Sequence, residues 1–105
     1  MIIQNVVTRL RDIIDKEFPG QIRQAILFGS HVKGTATVDS DLDILLVVNG
    51  DCPWVLKRRL LSSCYPLSLE FDVVLDVKIY SFSELQDVNR QRSFIKNALK
   101  YGIAA

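Results

Sequence analysis

Cysteine, histidine, long apolar runs and an excess of charge are all scarce in this chain. Of its 105 residues, two are cysteine (Cys52 and Cys64) and one is histidine (His31). The cysteines form no C-x-x-C pair and lie near no histidine cluster, which excludes a structural zinc site and a redox dithiol and leaves two free thiols. No apolar run approaches the roughly 20 residues needed to span a bilayer, and no basic segment followed by an apolar stretch opens the sequence. The expected location is the cytoplasm, with no membrane partner. Thirteen basic against twelve acidic side chains give a formal net charge of +1, so no global field draws in nucleic acid or an anionic surface. Nucleic acid is not an expected partner, and any ligand has to be recognised by a local site. Proline and glycine are few, at three and five, and no linker, repeat or low-complexity stretch divides the chain, so residues 1–105 read as one domain.

What is present is enough apolar material for a core. A hydrophobic content of 49 % with 9 % aromatics suits a domain of this size without metal or disulfide staples. Ile2, Ile3, Val6, Val7, Leu10, Ile13, Ile14 and Phe18 recur at three- and four-residue spacing, which predicts an amphipathic first helix ended by Pro19 and Gly20. Residues 22–28 read as a strand that runs straight into Gly29 and Ser30. The small, polar stretch 31–40 reads as a loop or one helical turn, and residues 42–48 as a second strand. A short helix over about 54–65 follows, closed by Pro66. Residues 69–80 read as a long strand with Phe71, Val73, Leu75, Val77 and Ile79 on one face and Asp72, Val74, Asp76, Lys78 and Tyr80 on the other. Ser81 with Glu84 forms a capping-box signature for a last helix reaching about Lys100, with Gly102 at its C-terminal end. The fold class is α/β (α+β): a small mixed sheet with helices packed mainly on one face.

The chemistry concentrates between residues 29 and 43. Asp39, Asp41 and Asp43 alternate just before one of the most apolar runs, residues 44–48. Aspartate is depleted in strands, so two carboxylates entering a buried one need a compensating partner. Asp41 and Asp43 share a parity and point to one side, where like charges repel unless a cation lies between them. Magnesium suits such a site because it accepts one or two carboxylates together with substrate phosphates. Gly29 permits a tight turn and close approach of main-chain N–H groups to an anion, and Ser30 adds a hydroxyl donor. Gly34 lets the loop swing back so that Ser40 and Asp41 enter their strand beside the same turn. A calcium loop opening at Asp39 is excluded, because its sixth position is Ile44 and its twelfth Gly50; Asp39 reads as a loop residue.

The string Gly29-Ser30, ten residues, then Asp41-Leu42-Asp43, with Gly34 in the gap and Ser40 before Asp41, resembles the minimal nucleotidyltransferase family of the DNA polymerase beta superfamily. The segment from Phe94 through Ile103 is similar to the closing helix and terminal segment of its small stand-alone members, so the resemblance covers essentially the whole chain. It implies a nucleotidyltransferase fold and a magnesium-dependent transfer of a nucleoside monophosphate, AMP from ATP, to a hydroxyl. It implies that Gly29, Ser30, Lys33, Gly34 and Ser40 bind the nucleotide, and that Asp41 and Asp43 bind two magnesium ions. A third acid completes the second metal site and helps to deprotonate the acceptor; Asp76 is favoured over Asp72 for this role. Lys33 stands where the family commonly has arginine, and lysine keeps the charge without the planar fork that grips phosphate. The resemblance points to a separate HEPN-type toxin protein as acceptor, in a toxin–antitoxin pair. The alternative is a catalytically lapsed binding module that neutralises such a partner by occlusion, and self-association stays open.

The remaining signals have plainer readings. His31, alone in a polar loop, reads as solvated; the Lys57-Arg58-Arg59 run reads as a solvated helix face ahead of an RNA contact. Trp54 and Tyr80 are rim or core residues ahead of base-stacking ones.

Overall fold

Periodic apolar spacing turns residues 3–17 into a helix because every third or fourth side chain can reach the sheet. In the computed structural model, which describes residues 1–87 and 92–105, this is α1 (Ile3–Glu17), with Val6, Val7, Leu10, Ile13 and Ile14 buried. The order continues with β1 (Ile22–Phe28), the single turn α2 (Ser30–Lys33), β2 (Leu42–Val48), α3 (Trp54–Phe71), β3 (Leu75–Ser81), α4 (Phe82–Gln86), α5 (Ser93–Tyr101) and the short β4 (Ile103–Ala104). The strands form one mixed sheet in the order β3-β2-β1-β4. β1 is antiparallel to both β2 and β4, and β2 is parallel to β3. A parallel pair needs a long crossover, and α3 supplies it.

Alternation along β1 and β2 divides the apolar side chains between two faces. Ala25, Leu27, Leu42, Ile44, Leu46 and Val48 pack with α1 and with Leu60, Cys64 and Leu67 of α3. Ile26, Phe28, Leu45 and Val47 pack on the opposite face with Leu85 of α4 and Ile95 and Ala98 of α5. The two long helices therefore cover one face and the two short ones part of the other. β2 has apolar contacts on both sides, and six of its seven residues, all but Asp43, are buried. No helix among the described residues is long and apolar enough to cross a membrane.

Three boundaries differ from the sequence reading. α3 does not stop at Pro66 but runs through it to Phe71. An interior proline costs about 3 kcal/mol, and burial of Leu67 beyond it, with Phe71 packed on the same cluster, offsets that cost. β3 consequently begins at Leu75: residues 69–71, assigned to a strand by alternation, are helical, and Asp72 ends the helix at φ 49°, ψ 55°. Asp72 accordingly does not share a strand face with Asp76. The expected single last helix is two. Its capping box is present, with Ser81 Oγ accepting from the Glu84 N–H and Glu84 accepting from the Ser81 N–H, but α4 ends at Gln86 and α5 begins only after Arg92, which is extended. Residues 88–91, also placed in that helix, lie outside the described residues. Gly102 does cap α5, although at φ −72° it needs no left-handed freedom. A Cβ there would collide with Ile26 and the Ala98 carbonyl, so glycine is required for the close turn into β4.

Candidate active site

β1 delivers the chain to Gly29 at φ 83° and ψ −159°, a conformation open essentially to glycine alone. The reason for it is spatial as well as conformational: a Cβ on Gly29 would run into the Asp43 carboxylate. Phe28, immediately before it, is the antiparallel partner of Asp43. The Gly-Ser turn and the second aspartate, fourteen positions apart in sequence, are thus in contact.

Ser30 opens α2, whose first helical bonds run from the Val32 and Lys33 N–H groups to the Gly29 carbonyl. The N–H groups of Ser30 and His31 precede those donors and are not used in the turn's ladder. Gly34 ends the turn in the left-handed region at φ 79° and donates its N–H to Ser30. The loop then returns as expected, and His31 fastens it: Nε2 lies 2.9 Å from the Ser40 carbonyl oxygen, a bond that requires the tautomer with hydrogen on Nε2. His31 is therefore a tie across the loop and not a solvated side chain. The Ser40 hydroxyl accepts from the Thr37 N–H at 2.9 Å, which stiffens the approach to Asp41. Asp39 sits exposed in a turn, as expected. Lys33 is exposed at the end of α2, with Nζ 5.9 Å from the centre of the Tyr101 ring.

The acids converge from two strands. Asp43 and Asp76 are direct partners in the parallel β2–β3 register and project from the same face as Leu45, Val47 and Tyr80. Burial first, then the Asp76 carboxylate and more weakly that of Asp41, hold Asp43 above the usual carboxylate range, while Lys78 pulls it down. Asp76 is bound by Lys78, Nζ to Oδ2, at 2.8 Å. The structure thus brings Gly29, Asp43 and Asp76 together with Asp41 close by, and leaves Asp72, exposed at the end of α3, off the face shared by Asp43 and Asp76. Asp72 instead lines a cleft of about 400 Å³ with Val38, Asp39, Asp41, Leu69 and Val74. Among the described residues no three acidic, histidine or cysteine side chains already form a metal cage. The donor set nevertheless fits a hard cation: carboxylate oxygens, crowded enough to destabilise their own charge, beside a glycine turn.

Sequence reasoning did not assign Lys78 a place in this site. Its parity with Asp76, two positions earlier, was the available signal. Tyr80 stacks on Phe94 at 6.2 Å. The basic run on α3 does not act as a unit, since Arg58 lies over Trp54 and Arg59 over Phe18. Cys64 is buried and its thiol is pushed up to about 11, whereas Cys52 is partly accessible; both are free.

Comparison with known proteins gives the same outline. The pattern of the nucleotidyltransferase domain family matches residues 7–104. Two proteins of Methanocaldococcus jannaschii are similar along nearly their whole length. "Putative protein adenylyltransferase MJ0604" is 30 % identical over 94 % of this chain and 93 % of its own. "Putative protein adenylyltransferase MJ0141" is 26 % identical over 95 % and 87 %. Among solved structures, a toxin–antitoxin complex with AMP-PNP superimposes with a TM-score of 0.61 at 18 % identity, over 92 % of this chain and 69 % of that one. A mutant of the toxin–antitoxin MntA-HpeT gives 0.57 at 16 % identity, over 99 % and 71 %. At these identities the structural likeness establishes the fold.

Proposed function

The chain belongs to the nucleotidyltransferase domain family, and from that premise we propose that it is a magnesium-dependent adenylyltransferase that moves AMP from ATP to a hydroxyl on a separate protein. The observation that carries this reading is the contact between the phosphate turn and the acid strand, where only a glycine at position 29 leaves room for the Asp43 carboxylate. A triphosphate seated on the turn lies within reach of the same carboxylates.

In this reading Ser30 and the unused N–H groups at the start of α2 bind the β- and γ-phosphates, with Lys33 adding a positive charge. Gly34 and the Ser40–Thr37 contact hold the loop that carries Asp41 to them. Asp41, Asp43 and Asp76 would hold two magnesium ions, which when bound would neutralise phosphate charge and polarise the α-phosphorus. Asp76 takes the proton of the acceptor hydroxyl. The freed oxygen pair forms the new bond to the α-phosphorus as the bond to the β-phosphate oxygen breaks, and pyrophosphate leaves with that electron pair. The cleft beside Asp41, with exposed Val38, Leu69 and Val74, is where the acceptor protein approaches.

A protein acceptor is supported by the names of the two relatives and by the toxin–antitoxin complexes that share the fold; a helical HEPN-type toxin is the partner we propose. ATP as donor places the reaction in the cytoplasm. A second reading, a lapsed domain that occludes its partner without turnover, is favoured by one observation: Asp76 is already neutralised by Lys78. Incubation with labelled ATP, magnesium and the product of the adjacent gene separates the two. Label on the partner that is lost in Asp41→Asn and Asp43→Asn supports transfer. Unlabelled partner, equally neutralised by wild type and both variants, establishes occlusion.

A further inference from the structure

We propose that the Lys78 ammonium is a fixed cation for the acceptor-side carboxylates Asp43 and Asp76, so that the site takes one divalent ion, carried in with the nucleotide, in place of two. The inference rests on the transferase reading above and narrows its metal requirement.

Three observations support it. Lys78 follows Asp76 by two positions on β3, so both side chains leave the same face, and Nζ sits 2.8 Å from Asp76 Oδ2. The lysine is not a freely swinging surface group: its side chain is 28 % exposed. Its ammonium also lies 5.0 Å from the centre of the Phe94 ring, a favourable cation–π distance, and Phe94 is itself stacked on Tyr80. α5 therefore supplies an aromatic ring beside the ammonium. Finally, Asp41 makes no ion pair among the described residues, which leaves the Asp41–Asp43 side open to a cation.

These features distribute the positive charge unevenly. One divalent ion between Asp41 and Asp43, together with one ammonium at Asp76, balances three carboxylates. A second divalent ion at Asp76 has either to expel Lys78 from between the strand and Phe94 or to sit against its charge. Lys78 would thus position Asp76 without touching the reacting atoms itself.

Manganese serves as a countable probe. Bound ions per chain are measured by paramagnetic resonance titration in the presence of a non-hydrolysable ATP analogue, for wild type, Lys78→Met and Lys78→Arg. The expected result is one ion in wild type and in Lys78→Arg, and two in Lys78→Met, the second bound at least tenfold more tightly than any second ion in wild type. Two ions in wild type overturn the proposal and leave the transferase reading intact. A single ion in a folded Lys78→Met, checked by circular dichroism, overturns it as well, because the charge would then not be what excludes the second ion. No nucleotide-dependent ion in any of the three removes the transferase reading of the site together with this one. The wild-type count is decisive whether or not the methionine variant folds.

Discussion

Asp43 of β2 and Asp76 of β3 are direct partners across a parallel strand pair, and the ammonium of Lys78 is bonded to the second of them. Two like charges opposed on one sheet face are a cost to folding that a domain of this size would shed unless the pair were useful.

Gly29 and Gly34 both hold positive φ, at 83° and 79°, but only a Cβ at Gly29 meets the acid strand; at Gly34 it meets nothing. Alanine at either position should cost about 1–3 kcal/mol of backbone strain. Gly29→Ala should in addition weaken binding of an ATP analogue by at least about tenfold, or roughly 1.4 kcal/mol, while Gly34→Ala should leave it within a few-fold. Titration calorimetry on the two variants distinguishes a shared cavity from two independent turns. Equal losses in both would count against the Gly29–Asp43 contact as the core of the site.

Burial and the neighbouring Asp76 raise the Asp43 carboxyl above its ordinary value of 3.8. Over the pH range between that value and the raised one, the folded chain binds more protons than the unfolded chain, so stability falls as pH rises. At neutral pH the wild type bears the whole of this repulsion. Asp43→Asn should therefore melt at a higher temperature than wild type at pH 7, and the advantage should fade as pH is lowered through the raised value towards 3.8. Magnesium with an ATP analogue should raise the melting temperature of wild type and leave that of Asp43→Asn nearly unchanged. A variant less stable than wild type at pH 7 would show that the carboxylate is paired, not crowded.

Pro66 lies inside α3 and is exposed. Replacing it by alanine restores a helical N–H and removes the ring's clash with the preceding turn, worth about 3 kcal/mol in a helix interior. The more flexible unfolded chain takes back about 0.4–1 kcal/mol. Urea unfolding of Pro66→Ala should therefore show a net gain of about 2 kcal/mol. A loss would mean that the proline sets the bend that brings Leu67 and Phe71 onto the core.

The elements that local pattern controls were legible in the sequence. α1 was readable because its apolar residues keep helical spacing from end to end, β1 and β2 because each ends in a short continuous apolar run, and all three because Pro19, Gly20, Gly29 and Asn49 punctuate them. The phosphate turn and Asp41–Asp43 were readable because a short loop joins them and spacing alone limits how far apart they can lie. The end of α3 was not. Residues 69–80 alternate well enough for a strand, and Pro66 is a strong stop signal, yet Leu60, Cys64, Leu67 and Phe71 also recur at helical spacing. Only the presence of a sheet surface to pack against decided between the two periods. Gly102 shows the same division: glycine there was foreseeable, while its reason, the approach of Ile26 and Ala98, belongs to packing.

The sequence by itself determined that a glycine turn and two same-face aspartates precede a buried strand, because those properties depend on backbone geometry over a few residues. Tertiary structure decided which other groups join them. A one-residue slip between β2 and β3 would send Asp76 and Lys78 to the opposite face. The eighteen-residue helix between the strands carries no local signal of that register; it is set by the packing of half-buried Leu75 and Val77 and buried Ile79 on the main core. That packing excludes Asp72 from the acid face, opposes Asp76 to Asp43, and places Lys78 where a cation is required.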